Sequence, residues 1–382
     1  MTGLYLDAAA TSAVRREVLE AMWPYLTGDF GNPSSHHAVG ESAARALAAA
    51  RATVAEWLGC RASEVVFTSG GTEADNLAVK GIALGAPRGR HLVTTPIEHE
   101  AVLASVDYLV RVHGFEATYV PVGRDGLVSP DDFAAALRPD TTLASVMLAN
   151  NEVGTVQPIA ELAALAHAQG VPFHTDAVQA AGWLPLDVKA LGVDALSVSG
   201  HKIGAPKGIG ALFVRGRLPL EPVLHGGGQE RGRRSGTENV AGAVALATAA
   251  RLALRDREAN AARATAARDA FTAAVLAQTP GAELTGHASA RLPGTASFVF
   301  PGTNGETVLL ELERRGIVSS SGSACAAGSE DASHVLLALG YAEDVARTAV
   351  RFSWGPDVTE EALVAVAPAV AEAVGEVRDL AS

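Results

Sequence analysis

Asp194-Ala195-Leu196-Ser197-Val198-Ser199-Gly200-His201-Lys202 decides how the rest of the chain is read. A short apolar run gives way to small polar residues and then to a histidine and a lysine, the pattern of a buried strand that delivers reactive side chains at its carboxyl end. The lysine stands out. Of 30 cationic residues only Lys80, Lys189, Lys202 and Lys207 are lysines, and arginine supplies the rest. A lysine kept against that bias offers an amine that can lose its proton and form a Schiff base, which a guanidinium cannot do. Taken alone, Lys202 is equally a solvated loop lysine.

The same texture repeats on both sides. Residues 64–68, 91–95, 142–149, 171–175 and 210–214 read as strands, with helices predicted over 72–83, 100–112 and 158–169 between them. This alternation predicts an α/β fold with a mostly parallel sheet covered by helices on both faces. After Asn239 a long alanine- and arginine-rich helix runs to about Gln278 and bridges out of the first domain. The remainder mixes strands (295–300, 316–320, 348–353) with helices (305–314, 333–339, 359–377), which suits a smaller C-terminal α/β domain. Residues 319–329 are all small and without periodicity, the composition of a mobile loop.

Composition narrows the function classes. The 382 residues, 48% hydrophobic and 19% charged, are a globular composition long enough for two to three domains at about 150 residues each. A net charge of −12 argues against a dedicated binder of nucleic acid or anionic membrane. No apolar run reaches the roughly 18 residues of a spanning helix, and Met1-Thr2-Gly3-Leu4-Tyr5-Leu6-Asp7 lacks the basic-then-apolar pattern of a leader, so a cytoplasmic location is expected. Cys60 and Cys325 are too few for a disulfide framework or a four-cysteine metal site. Nor does any spacing among His99, His174, His201 and His225 resemble a metal-ligand motif.

In open α/β sheets ligands gather at the carboxyl ends of strands. There the sequence places Ser69-Gly70-Gly71-Thr72-Glu73, whose glycines permit close backbone approach and whose Thr72 opens a helix with free N–H groups for an anion. By itself this is first an ordinary capped turn, and it is neither a dinucleotide nor a nucleoside triphosphate fingerprint. His99 and Asn151 follow two other strands, where such residues are most often caps. Asp176, with Gln179 nearby, ends a strand so apolar that its carboxylate wants a cationic partner. Jointly these residues meet the needs of pyridoxal 5'-phosphate: a lysine for the Schiff base, a carboxylate facing the pyridine nitrogen, a phosphate cup, a ring to stack and a donor to the phenolic oxygen.

The combination of Phe30-Gly31-Asn32-Pro33-Ser34-Ser35, Thr68-Ser69-Gly70-Gly71-Thr72-Glu73-Ala74-Asp75-Asn76, Ser199-Gly200-His201-Lys202, His225-Gly226-Gly227-Gly228-Gln229-Glu230-Arg231, Arg234-Ser235-Gly236-Thr237 and Ser320-Ser321-Gly322-Ser323-Ala324-Cys325 resembles the cysteine desulfurases of the NifS/IscS type. These belong to the class V aminotransferase group of fold-type I pyridoxal-phosphate enzymes. The resemblance runs from Tyr5 to at least Ser353.

It implies a large cofactor-binding domain over 15–255, a small domain over 256–382 carrying the cysteine loop, and a segment 1–14 that packs with the small domain. It assigns Lys202 to the Schiff base, Asp176 to the pyridine nitrogen and Gln179 to the phenolic oxygen. His99 would stack on the ring and move protons, while Gly71, Thr72, Ser199 and His201 would hold the phosphate. Thr237 would reach the phosphate of the neighbouring subunit, implying a homodimer with shared active sites. Asn151 and Arg351, with help from Asn32, would bind the carboxylate of L-cysteine. Cys325 would take its sulfur as a persulfide, leaving L-alanine, and pass it to an acceptor protein for iron–sulfur cluster assembly or another thiolation.

A selenocysteine lyase or another class V aminotransferase or lyase is the competing reading. Cys60, after a helix, reads as a passive thiol. Ala8, Gly204-Ala205, Ala326 and Ala327 depart from the common pattern without removing a catalytic group.

Overall fold

The computed structural model of the chain describes residues 3–322 and 332–381. Among these the strands are β1 (Leu4–Tyr5), β2 (Val65–Thr68), β3 (His91–Thr94), β4 (Glu116–Tyr119), β5 (Thr141–Ser145), β6 (Phe173–Asp176), β7 (Ala195–Ser199), β8 (Gly210–Val214), β9 (Glu283–Leu284), β10 (Thr295–Val299), β11 (Ile317–Val318) and β12 (Ala349–Ser353). The principal sheet has the order β2-β8-β7-β6-β5-β3-β4. The α/β architecture expected from the sequence is the one observed.

Successive residues of each strand enter opposite cores, as the twofold side-chain period demands. Val65 and Phe67 join a core shared with the helices Ala38–Leu58 and Ile159–Ala168, whereas Val66 joins a second core under the helices Gly71–Gly85 and Glu100–His113. Every residue of β2, β3, β5, β6, β7 and β8 is buried, the polar ones included. The pairings β3–β4, β3–β5, β5–β6 and β6–β7 are parallel, but β8 is antiparallel to both β2 and β7. The sheet is thus mostly parallel and mixed, and β8 returns antiparallel because the link from Ser199 to Gly210 contains only a short 3₁₀ turn and no helical crossover.

The helix Val240–Gln278 starts in the first core, packed on the helices Arg16–Met22 and Ala38–Leu58, and ends in a separate core, where Ala267, Phe271 and Val275 meet Phe298, Phe352 and Trp354. That core lies against the antiparallel sheet β12-β10-β9, and β1 joins it by pairing in parallel with β11. The single helix expected over 359–377 is two, Glu360–Val364 and Ala367–Ala381. Pro368 accounts for the break, because its ring would meet the carbonyl of Val364 and it has no N–H to donate. The strands over 142–149 and 316–320 are also shorter than expected, ending at Ser145 and covering only Ile317–Val318. Among the described residues no helix is long and apolar enough to cross a membrane.

One polar layer lies deep in this framework. Asp75, on the helix after β2, Glu98, after β3, and Asp176, at the end of β6, are 1%, 0% and 6% exposed. Burial pushes all three carboxyls up, Glu98 to about 8, and each pair adds mutual repulsion. Thr95 Oγ1 and the Met147 N–H donate to Glu98 Oε1 at 2.7 and 3.0 Å. His174 beside them is pushed down to about 3 by burial and bridges the hydroxyls of Ser145 and Ser197 at 2.8 and 3.0 Å. The neutral imidazole pairs with both hydroxyls without adding charge, while Asp75 Oδ1 and Glu98 Oε2 have no hydrogen-bond partner among the described residues.

Two outcomes follow from these packings. Phe271→Ala should cost about 3–5 kcal/mol, read as a lowered urea midpoint, since Phe271 is fully buried with edge contacts to Phe298, Phe352 and Trp354. Native Glu98 keeps its proton to about pH 8, whereas its ordinary value is 4.5, so this group makes stability fall as pH rises through that window. Glu98→Gln should flatten the decline by up to about 1.4 kcal/mol per pH unit, and an unchanged slope would show that Glu98 is ionised in the fold.

Candidate active site

The carboxyl ends of β2, β7, β6, β5 and β3 face one edge of the sheet, and the segments that follow them converge there. After β2, Thr68 Oγ1 donates to the Gly70 carbonyl at 2.9 Å, and the Ser69 N–H donates to Glu73 Oε2 at 2.8 Å. This tight turn opens the helix Gly71–Gly85, whose first N–H groups lack intrahelical acceptors and suit an anion. A Cβ on Gly71 would lie 2.9 Å from Val178 Cγ2 and 3.4 Å from Ser199 Cβ. Three sheet ends thus close on one cup, and glycine keeps it open.

Asp176 Oδ1 accepts the Val178 N–H at 2.8 Å, which fixes the carboxyl at the rim of the sheet. Burial raises its pKa, while His99, the Val178 N–H and Lys202 pull it back. His99 Nδ1 accepts the Ala101 N–H at 3.0 Å and caps the helix Glu100–His113, so the neutral ring carries its proton on Nε2. The cap and the candidate ring are therefore one residue.

Lys202 ends the 3₁₀ turn Gly200–Lys202 directly after β7. Its Nζ donates to the carbonyls of Ala9 and Ala10, the latter at 2.9 Å. Gln179 Nε2 donates to the same Ala9 carbonyl at 3.0 Å, and His201 Nδ1 lies 3.1 Å from Thr11 Oγ1. Burial first, then Lys202 and Lys207, pushes His201 down to about 4, so its imidazole is neutral at ordinary pH. The N-terminal segment thus lies against the residues that follow β6 and β7. Beside it a cavity of about 290 Å³ opens between Lys202, Gln179, Trp183 and Trp354.

Arg351 on β12 is 3% exposed. Its Nη2 pairs with Asp7 Oδ1 at 2.7 Å and its Nη1 donates to the Asn151 carbonyl at 2.9 Å. Its Nε has no hydrogen-bond partner among the described residues. A buried guanidinium with one unused donor suits a further carboxylate.

The structure places Ser199, His99, Asp176, Gln179, His201, Lys202 and Asn151 at or just after the ends of strands of the principal sheet, with Gly71 and Thr72 at a helix start and Arg351 reaching Asn151 and Asp7 from the middle of β12. It leaves Asn32 and Thr237 exposed on loops. Cys325 lies outside the described residues, as does most of the loop 319–329. Cys60 is half-buried and pushed up to about 12, chiefly by burial, which keeps it an unreactive thiol. Sequence reasoning missed Asp75, Glu98 and the pairing role of Asp7. A usable signal existed for Asp75, which shares an i, i+3, i+4, i+7 face with Ala78, Val79 and Ile82.

Comparisons with known proteins identify the family. The aminotransferase class-V profile matches residues 4–366. The cysteine desulfurase IscS of Dictyoglomus turgidum is 45% identical over 361 residues, covering 94% of this chain and 91% of that protein. A solved NifS-like protein superposes with a TM-score of 0.89 at 36% identity, covering 99% of both chains. The solved structure of SspA in complex with cysteine gives 0.81 at 38% identity, covering 92% of this chain and 99% of that one. The chain therefore belongs to the class V aminotransferase family and, within it, to the cysteine desulfurases of the NifS and IscS type.

Proposed function

We propose that the protein removes sulfur from L-cysteine, yielding L-alanine and a persulfide on Cys325 that is passed to an acceptor protein. The observation that carries this reading is the single sheet edge holding a lysine amine, a buried carboxyl, an anion cup and a ring-bearing helix cap. Pyridoxal 5'-phosphate fits that edge. A protonated pyridine nitrogen is the cation that Asp176 needs in order to ionise at such depth, and the free N–H groups at the start of the helix Gly71–Gly85 suit a phosphate. When bound, the cofactor supplies an electron sink for the pair released at the substrate Cα.

The chain's own residues do the rest. Lys202 would hold the cofactor covalently and supply the amine that moves a proton at the substrate Cα. Asp176 would face the ring nitrogen and Gln179 would donate to the phenolic oxygen. His99 would pack beside the ring and carry protons through Nε2. Gly71, Thr72, Ser199 and His201 would hold the phosphate. Arg351 takes the substrate carboxylate, aided by Asn151 and Asn32. Atoms balance as L-cysteine plus the Cys325 thiol giving L-alanine plus the Cys325 persulfide. The domain division at 14/15 and 255/256 belongs to the same reading.

The active form is a homodimer in which Thr237 serves the neighbouring phosphate. Leu19, Trp23 and Leu26, one helical face across Arg16–Thr27, are 51%, 59% and 54% exposed, and Phe30 is 71% exposed. An apolar stripe of that kind favours burial against a second copy. We place the protein in the cytoplasm, supplying sulfur for iron–sulfur cluster assembly or another thiolation.

Alanine and sulfide, measured together with L-cysteine and a reductant, test the reaction. Cys325→Ser should keep its bound cofactor yet lose essentially all of both products, whereas retained turnover would favour another lyase. Lys202→Ala should leave no cofactor attached to the chain after borohydride reduction. Trp23→Glu should shift the sedimentation coefficient from dimer toward monomer, and an unshifted dimer would move the interface elsewhere.

A further inference from the structure

The loop that leads to Thr237 is held with unusual firmness. Glu230 and Arg231 have φ of 51° and 60°, the only positive values at non-glycine residues among those described. Consecutive left-handed residues with side chains cost energy and persist only where the surroundings impose them. Here the surroundings are explicit. Arg51 Nη1 and Nη2 grip both carboxylate oxygens of Glu230 at 2.6 and 2.7 Å, in a pair whose side chains are 11% and 2% exposed. Glu230 Oε2 also accepts the Phe67 N–H at 3.2 Å, and Arg51 and Arg231 both donate to the Val65 carbonyl, at 2.9 and 2.6 Å. The turn is thereby fastened to β2.

From this anchor the geometry continues to Thr237. Gln229 Oε1 accepts the Gly236 N–H at 2.9 Å and closes the loop into a ring. Arg234 Nε and Nη2 reach Glu73 Oε1 and Oε2 at 2.8 and 3.3 Å. Glu73 in turn holds the Ser69 N–H in the anion cup. None of these contacts touches the reacting atoms, and an ordinary surface loop needs neither a buried bidentate ion pair nor a strained turn.

We propose that Glu230, held by Arg51, and Arg234, held by Glu73, are positioning residues that fix the loop Gly228–Thr237 so that Thr237 completes the phosphate site of a second copy. The inference deepens the dimer reading and rests on it. Its signature is that damage to the clamp in one protomer loosens the cofactor in the other. A role confined to the fold of its own chain would not do this.

The test uses dimers assembled from two differently tagged full-length chains, one of which carries Lys202→Ala so that a single lysine-linked cofactor remains. In the first arrangement Glu230→Gln is placed on the Lys202→Ala chain, and in the second on the chain that keeps Lys202. Lysine-linked cofactor is counted after borohydride reduction at intervals following dilution, so the readout is retention and needs no turnover. The first arrangement should lose cofactor about tenfold faster than a dimer with intact Glu230, the scale of one lost phosphate hydrogen bond, and the second should match that dimer within about twofold. Arg234→Gln, at a partly exposed position, serves in the same two arrangements if Glu230→Gln fails to assemble. Loss in the second arrangement as fast as in the first or faster, or no difference in either, would overturn the inference while leaving the dimer intact. A monomeric wild-type protein by sedimentation would overturn the dimer reading itself and this inference with it.

Discussion

The alignment of β3, β5, β6 and β7 in one direction is the constraint on which the molecule depends. Parallel strands require crossovers, and the crossovers cover both faces with helices, so the strands are buried throughout. Polar groups inside them must be paired, as Ser145, His174 and Ser197 are, and open chemistry is left at their ends. The chain accordingly concentrates its reactive side chains in the few residues after each strand, at Thr72, His99, Asn151, Asp176 and Lys202. The antiparallel return of β8 serves the same edge, because Gly210 pairs with both Thr68 and Ser199 and lies against the Gly70 backbone. A side chain there would push the anion cup apart.

Placing that edge deep in the protein has an electrostatic cost. Asp75, Glu98 and Asp176 cannot all ionise in one dry layer, and their mutual repulsion favours protonated forms. The neutral His174 and the hydroxyls of Ser145 and Ser197 satisfy hydrogen bonds there without offering a compensating cation. Asp176, at 6% exposed against 1% and 0% for Asp75 and Glu98, is the least deeply buried of the three.

Much of this was legible in the sequence, for identifiable reasons. Buried strands such as Val65-Val66-Phe67 announce themselves by continuous apolar character, and the strand-end position of Asp176 and Lys202 follows directly. The direction of β8 was hidden, because an apolar run looks the same in either orientation and only the short preceding link distinguishes them. β4 was missed because Glu116-Ala117-Thr118-Tyr119 is an edge strand, partly exposed and without a strong pattern. The burial of Glu98 and the pairing of Asp7 with Arg351 depend on contacts between residues far apart in the chain, which local patterns do not carry. Pro368 did carry a local signal for the helix break.

The helix Val240–Gln278 spans roughly 58 Å at 1.5 Å per residue and is clamped by a separate core at each end. Its middle, around Leu254 to Arg263, is largely wetted by solvent and lies in neither core. It behaves as a beam supported at its two ends. Any rocking of the β10–β12 sheet toward the lysine must therefore bend this exposed span or pivot on its last turns. A cut within it would break the covalent tie between the two cores yet leave each core the half of the helix that packs in it.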